Sequence, residues 1–199
     1  MAEVKNMAII EDFLRAFIGL VVIMDPLASI PAYLALTRNF SPKRMFEAAN
    51  IASISAGATL IAFIFVGPAL FSFLSITIAN FKVAGGIVLL IMGIEHVLGL
   101  RLDSGGSKKH YSLSLVIIGV PLITGPGALT AATLLADSAG LWVTVAAALC
   151  AIILTRIILG YADRISSKVG PLGLEVFSRI MGLLLAAIAV AFIRSGLVG

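Results

Sequence analysis

Charge is scarce in this sequence: 12% of its 199 residues are Asp, Glu, Lys or Arg, against 60% hydrophobic ones. A soluble core cannot account for that excess, and a mean hydropathy of +1.14 places the chain among integral membrane proteins. Cysteine occurs once, so no internal disulfide can form; Cys150, inside an apolar run, is expected to be a small buried residue. Histidine occurs twice, at His96 and His110, both near the ends of apolar runs, which leaves no metal-ligand cluster. A nucleophile with an adjacent base and a nucleotide-binding loop are missing as well, so the chain reads as a non-enzyme with no metal and no cofactor. The short alternating segments of a β-barrel are also absent. Residues 1–15 carry Glu3, Lys5, Glu11 and Asp12 rather than a basic region before a short apolar core, and are not read as a cleaved signal.

What is present is a series of apolar runs at about 16–36, 47–74, 81–100, 113–136, 141–162 and 179–198, each near or above the roughly 20 residues of a spanning helix. The expected fold is an all-α polytopic membrane protein with six transmembrane segments. Basic residues sit between the runs. Arg38, Lys43, Arg44, Arg101, Lys108, Lys109, Arg164, Lys168 and Arg179 follow odd-numbered spans, whereas Lys5, Arg15, Lys82 and Arg194 lie on the other side. This bias puts the odd-numbered connections in the cytoplasm and both termini outside. The net charge of +4 therefore reads as an orientation signal, with the lipid bilayer and not nucleic acid as the partner.

Two runs are interrupted. In the first, Asp25-Pro26 lies inside apolar sequence, where an aspartate costs about 2.5–3.5 kcal/mol near the membrane centre and is retained for a partner, a ligand or a proton. Pro26 removes a backbone donor and disfavours helical geometry at Asp25, so the helix should break there and restart with Asp25 as its cap. About a hundred residues later Thr124-Gly125-Pro126-Gly127 interrupts the fourth run, where freed carbonyls and amides need a cavity or protein neighbours. Breaks in corresponding places of two halves point to a transporter site. Amides at the resumed helix starts would face a carboxylate, freed carbonyls would accept from an ammonium group, and Asp25 would pair with that group or take the coupling proton. Ala28, Ser29, Gly125, Gly127 and Ala128 leave room for little more than glycine or alanine, with Thr130 following on the second helix. The competing reading is a helix cap at Asp25 and a structural kink at Gly125-Pro126-Gly127.

Elsewhere, Asn50 and Ser53 belong to a small, polar stripe on span two that packs against another helix or lines a pathway. Ser41-Pro42 is a helix start, and Gly67-Pro68 is expected to interrupt span two before a turn or short surface helix over 75–80. Gly85, Gly86 and Gly93 on span three, and Gly182 on span six, indicate close helix packing, and their faces would also permit a homo-oligomer. Glu95 and His96 are read as interfacial, with a proton relay as the second choice. Arg156 snorkels or pairs with Asp25 or Glu95, and residues 170–175 form a turn before the last span.

The order of broken span, long span, turn and glycine-containing span occurs twice. A shift of 96 residues puts Phe81 on Phe177 and Gly86 on Gly182, and a shift of 100 puts Asp25-Pro26 on Gly125-Pro126. The hydrophilic linker 101–111 divides a first repeat, 1–100, from a second, 112–199. Three spans per half would make the repeats inverted, with broken helices in spans one and four.

Met24-Asp25-Pro26-Leu27-Ala28-Ser29-Ile30-Pro31, Phe81-Lys82-Val83-Ala84-Gly85-Gly86-Ile87 and Pro121-Leu122-Ile123-Thr124-Gly125-Pro126-Gly127-Ala128, in this order and spacing, resemble the MarC family of six-span membrane proteins. The chain departs from the family pattern at Ala28, where glycine is usual. The resemblance implies an inner-membrane protein, and its SnatA-type archaeal branch implies a small neutral amino-acid transporter for glycine and alanine. Such a protein would be ion-coupled through a proton or sodium, and its movement elevator-like. The alternatives are an exporter or a channel for another small solute.

Overall fold

The computed structural model describes residues 2–99 and 124–198, and within them the molecule is all helical. The helices are α1 (Ala2–Met24), α2 (Ser29–Thr37), α3 (Pro42–Phe73), α4 (Ile78–Leu98), α5 (Pro126–Ser138), α6 (Leu141–Gly160) and α7 (Ala162–Val198). By length and composition α3, α4, α6 and α7 can each cross a membrane. α1 is 23 residues long but carries Glu11, Asp12 and Arg15, the first and last of which form an exposed i,i+4 pair.

The boundaries follow local chemistry. Pro42 opens α3 with Ser41 extended before it. Its far end closes with Ser75 at φ 56° while the Ile76 amide donates back to the Phe71 carbonyl, the wrapped bond of a left-handed helix stop. The Thr77 hydroxyl then accepts from the Asn80 amide and caps α4. Gly99 ends α4 at φ 66°, and Gly140, at φ 92°, separates α5 from α6.

α4 and α7 form the most extensive helix pair, and glycine makes it so. A Cβ on Gly93 would lie 2.8 Å from the Gly182 carbonyl oxygen, and one on Gly182 would lie 2.8 Å from that of Gly93. Gly86 meets the Ala189 carbonyl, and Gly196 that of Ala79, in the same way. Backbone therefore lies on backbone along the whole pair, the contact that replaces the hydrophobic effect between helices in lipid. The glycine faces of these two helices are thus spent within the chain. Around this pair α1 packs on α6, α3 on both α6 and α5, and α5 on α4.

Several expectations change. Gly67-Pro68 does not interrupt α3, which runs through Pro68 to Phe73; in a membrane helix, neighbouring groups and local adjustments can re-satisfy the carbonyl that an internal proline frees. The segment 170–175 is a turn only at Gly170, whose φ of 73° and ψ of 165° bend α7, and helix resumes at Pro171. Cys150 is exposed on the outer face of α6 rather than buried, beside the exposed Leu149 and Ile153. Apolar side chains face outward wherever lipid replaces water. The linker 101–111, the start of the fourth run and His110 lie outside the described residues.

Candidate functional site

Asp25 joins α1 to α2 and belongs to both. Its amide donates to the Val21 carbonyl (3.1 Å), the last bond of α1, and its carbonyl accepts from the Ser29 amide (3.2 Å), the first of the next helix. Between them the backbone takes φ 38°, a left-handed conformation that Asp tolerates better than most residues. The side chain reinforces the turn: Oδ1 accepts from the Ala28 amide at 3.2 Å, and the Ser29 hydroxyl donates to the Asp25 carbonyl at 3.1 Å. Asp25 is not the cap that the sequence suggested, because α2 begins only at Ser29 with Ala28 as its N-cap and no side-chain cap bond; the carboxylate instead holds the intervening turn with one oxygen. The other, Oδ2, is buried without a hydrogen bond among the described residues, on a residue only 4% exposed.

The group that faces Oδ2 is His96 on α4. Its Nδ1 lies 3.5 Å from Asp25 Oδ2 and has no hydrogen-bond partner among the described residues. Sequence reasoning assigned His96 to the interface because it lies near a helix end. The structure leaves the side chain 30% exposed but buries its Nδ1, with its Cβ against the Gly182 position of α7. No local signal marks this residue. The hint was its register: Gly85, Leu89, Met92 and His96 follow one face of α4 at spacings of four, three and four.

That face also receives the second helix start. Gly125 is extended before Pro126, and its carbonyl accepts from the amides of Ala128 (3.0 Å) and Leu129 (3.2 Å). A Cβ on Gly127 would overlap the Leu89 side chain, and one on Gly85 would fall inside that of Thr130. α5 therefore runs antiparallel to α4, and its N-terminus points toward the His96 end. Met92 and His96 are one turn apart, about 6 Å of rise, so the start of α5 and the Asp25 turn approach the same stretch of α4. Thr124, at the mouth of α5, is buried and its hydroxyl finds no partner among the described residues.

Pro26 is buried, Ala28 half-buried and Ser29 buried in the first turn, while Gly125, Gly127, Ala128 and Thr130 are buried around the second start. Of Pro126 the backbone is the first position of α5. Ser53 is buried on α3, and its hydroxyl has no partner among the described residues. Asn50 is engaged elsewhere: its Oδ1 accepts from Nε of Arg156, whose guanidinium also lies 5.1 Å from the Phe46 ring centre. Arg156 thus pairs neither with Asp25 nor with Glu95. Glu95 is half-buried beside His96. A half-open cavity of about 160 Å³ reaches Asp25 from the other side, between Phe17 and Val21 of α1, Ile158 of α6 and Phe177 and Met181 of α7. Among the described residues Asp25 is its only ionisable lining residue.

A helical molecule whose outer face is set with Ile54, Phe65, Phe73, Ile153, Leu183 and Val190, while its interior holds alanines, glycines, threonines and a buried acid, is an integral, multi-pass membrane protein. The chain belongs to the MarC family: the sequence model described as MarC family integral membrane protein matches residues 10–199. It is 34% identical over 201 residues to the UPF0056 membrane protein YvbG of Bacillus subtilis, covering 93% of each chain. A UPF0056 membrane protein of Methanocaldococcus jannaschii is 34% identical over 210 residues, covering 98% of this chain and 91% of that one. One from Pyrococcus abyssi is 29% identical over 194 residues, covering 96% of both. No solved structure matches.

Proposed function

We propose that this MarC-family protein is a secondary active transporter of small neutral amino acids, glycine and alanine, and not an enzyme. It would be driven by an ion, for which a proton fits the site better than sodium, and would work in the cell's plasma membrane with both termini outside. The observation that carries the reading is the Asp25 turn: a buried acid between two helices, one oxygen holding the turn and the other without a hydrogen bond among the described residues. A buried, incompletely satisfied carboxylate in a membrane protein is retained for a ligand or an ion. Beside it the N-terminus of α5 supplies partial positive charge for a substrate carboxylate, and the Thr124 hydroxyl, without a partner among the described residues, supplies a further polar contact. Sodium would call for several oxygen ligands, whereas Oδ2 faces a nitrogen base.

Six spans as two inverted repeats complete the proposal. The packing supports it, because α1 leans on α6 as α5 leans on α3, while α4 and α7 pair with each other. Each would-be repeat thus lays its first span on the second span of the other, as a twofold axis in the membrane plane requires. Movement would carry the helix starts past this framework.

Counterflow of labelled glycine in proteoliposomes tests the function. Exchange that is lost in Asp25→Asn supports it. Conductance that persists without any amino acid would instead mark a channel, and no amino-acid movement under any ion gradient would overturn the transporter reading.

A further inference from the structure

We propose that Asp25 and His96 form one proton-sharing unit that ties the helix break to the α4–α7 framework, and that His96 is the positioning residue through which proton binding is coupled to movement. The inference rests on the transporter reading and deepens it by naming the coupling device.

Two polar atoms face each other across the site. Oδ2 of Asp25 and Nδ1 of His96 are 3.5 Å apart, and neither has another hydrogen-bond partner among the described residues. At that distance a modest approach makes a direct N–H to carboxylate bond. Groups this close titrate as a pair, so the proton belongs to both. Without the proton the buried unit carries the carboxylate charge; with it the unit is neutral overall. Burial in an apolar bundle favours the neutral form wherever the two groups stay together. The step changes only N–H and O–H bonds: one proton arrives from water on one face and returns to water on the other.

The partners sit on differently anchored parts. His96 is fixed, because its Cβ lies against Gly182 and α4 is locked to α7 through Gly93 and Gly86. Asp25 is the hinge between α1 and α2, and α1 rests mainly on α6. A proton that joins the two side chains therefore holds the break against α4, and its loss releases the break. Other charges near this contact do not replace it. Glu95 is the neighbour of His96 on α4. From α7, Glu175 and Arg179 pair with each other at 2.5 Å, and α5 presents only Asp137, at its far end. On α1, the nearest charged residues before Asp25 are Glu11, Asp12 and Arg15, which lie more than two turns back.

The test compares two modes of glycine movement in proteoliposomes. Counterflow needs no net proton transfer, whereas accumulation under an imposed pH gradient does. His96→Gln is expected to keep counterflow and lose gradient-driven accumulation, while Asp25→Asn loses both. A His96→Gln protein that accumulates glycine as the unsubstituted protein does would overturn the proposal. His96→Asn gives the same comparison if the glutamine variant fails a thermal-unfolding check. Infrared titration of the Asp25 carboxyl, assigned by its loss in Asp25→Asn, reads the pair with no transport at all. Its midpoint should move by about one pH unit or more in His96→Gln, and an unchanged midpoint refutes the pairing even if glycine proves not to be the substrate.

Discussion

The two motifs Asp25-Pro26 and Gly125-Pro126 look alike in sequence and differ in structure: Pro126 is the first residue of α5, whereas Pro26 lies in the turn before α2 begins at Ser29. At the first, the residue before proline takes φ 38° and brings a carboxylate into the interior. At the second, Gly125 is extended at φ −63° and ψ 173°, a conformation open to any residue, so its dihedrals do not explain the glycine. What the second start needs is Gly127, because Leu89 occupies the space a side chain would take. One break holds a chemical group and stores backbone strain; the other permits close approach. A pair of similar motifs thus divides the work, and only one half supplies a group that can change charge.

Substitutions can break this contrast, and the largest effect is expected at the charged start. Asp25→Asn keeps a residue tolerant of left-handed backbone and an acceptor for the Ala28 amide. It should fold normally while glycine counterflow drops to the level of protein-free liposomes; counterflow at the original rate would reduce Asp25 to a residue that holds the turn. Next comes packing at the other start. Gly127→Leu forces α5 off Leu89 and should lower stability by about 1–3 kcal/mol, read as a fall in the thermal midpoint in detergent, whereas Ala28→Leu, at a half-buried site, should lower it less. Strain gives a smaller signal. Asp25→Gly should be more stable than Asp25→Ala by about 1 kcal/mol, because only glycine takes positive φ freely, and equal midpoints would remove strain from the account. Smallest is the exposed pair of Glu11 and Arg15 on α1, where Arg15→Gln should change stability by less than about 0.5 kcal/mol.

Which features were legible in the sequence follows from the range of the forces involved. The end of α1 at Met24 was readable because proline acts on its own backbone and on the residue before it, and the start of α3 at Pro42 was readable for the same reason. Pro68 obeys the same chemistry yet lies inside a continuous helix, since a neighbouring helix can compensate what the local rule penalises. Cys150 was misplaced because hydrophobicity in a membrane chain separates protein from water and does not separate core from lipid face.

Composition and the spacing of apolar runs by themselves determined the class, the helical architecture and the place of the charged break, because each depends on residues adjacent in the chain. Tertiary structure alone decided that His96 faces Asp25, that Arg156 is held by Asn50 and that Gly85 makes way for Thr130. These contacts join residues far apart in sequence, beyond the reach of any rule that acts between chain neighbours.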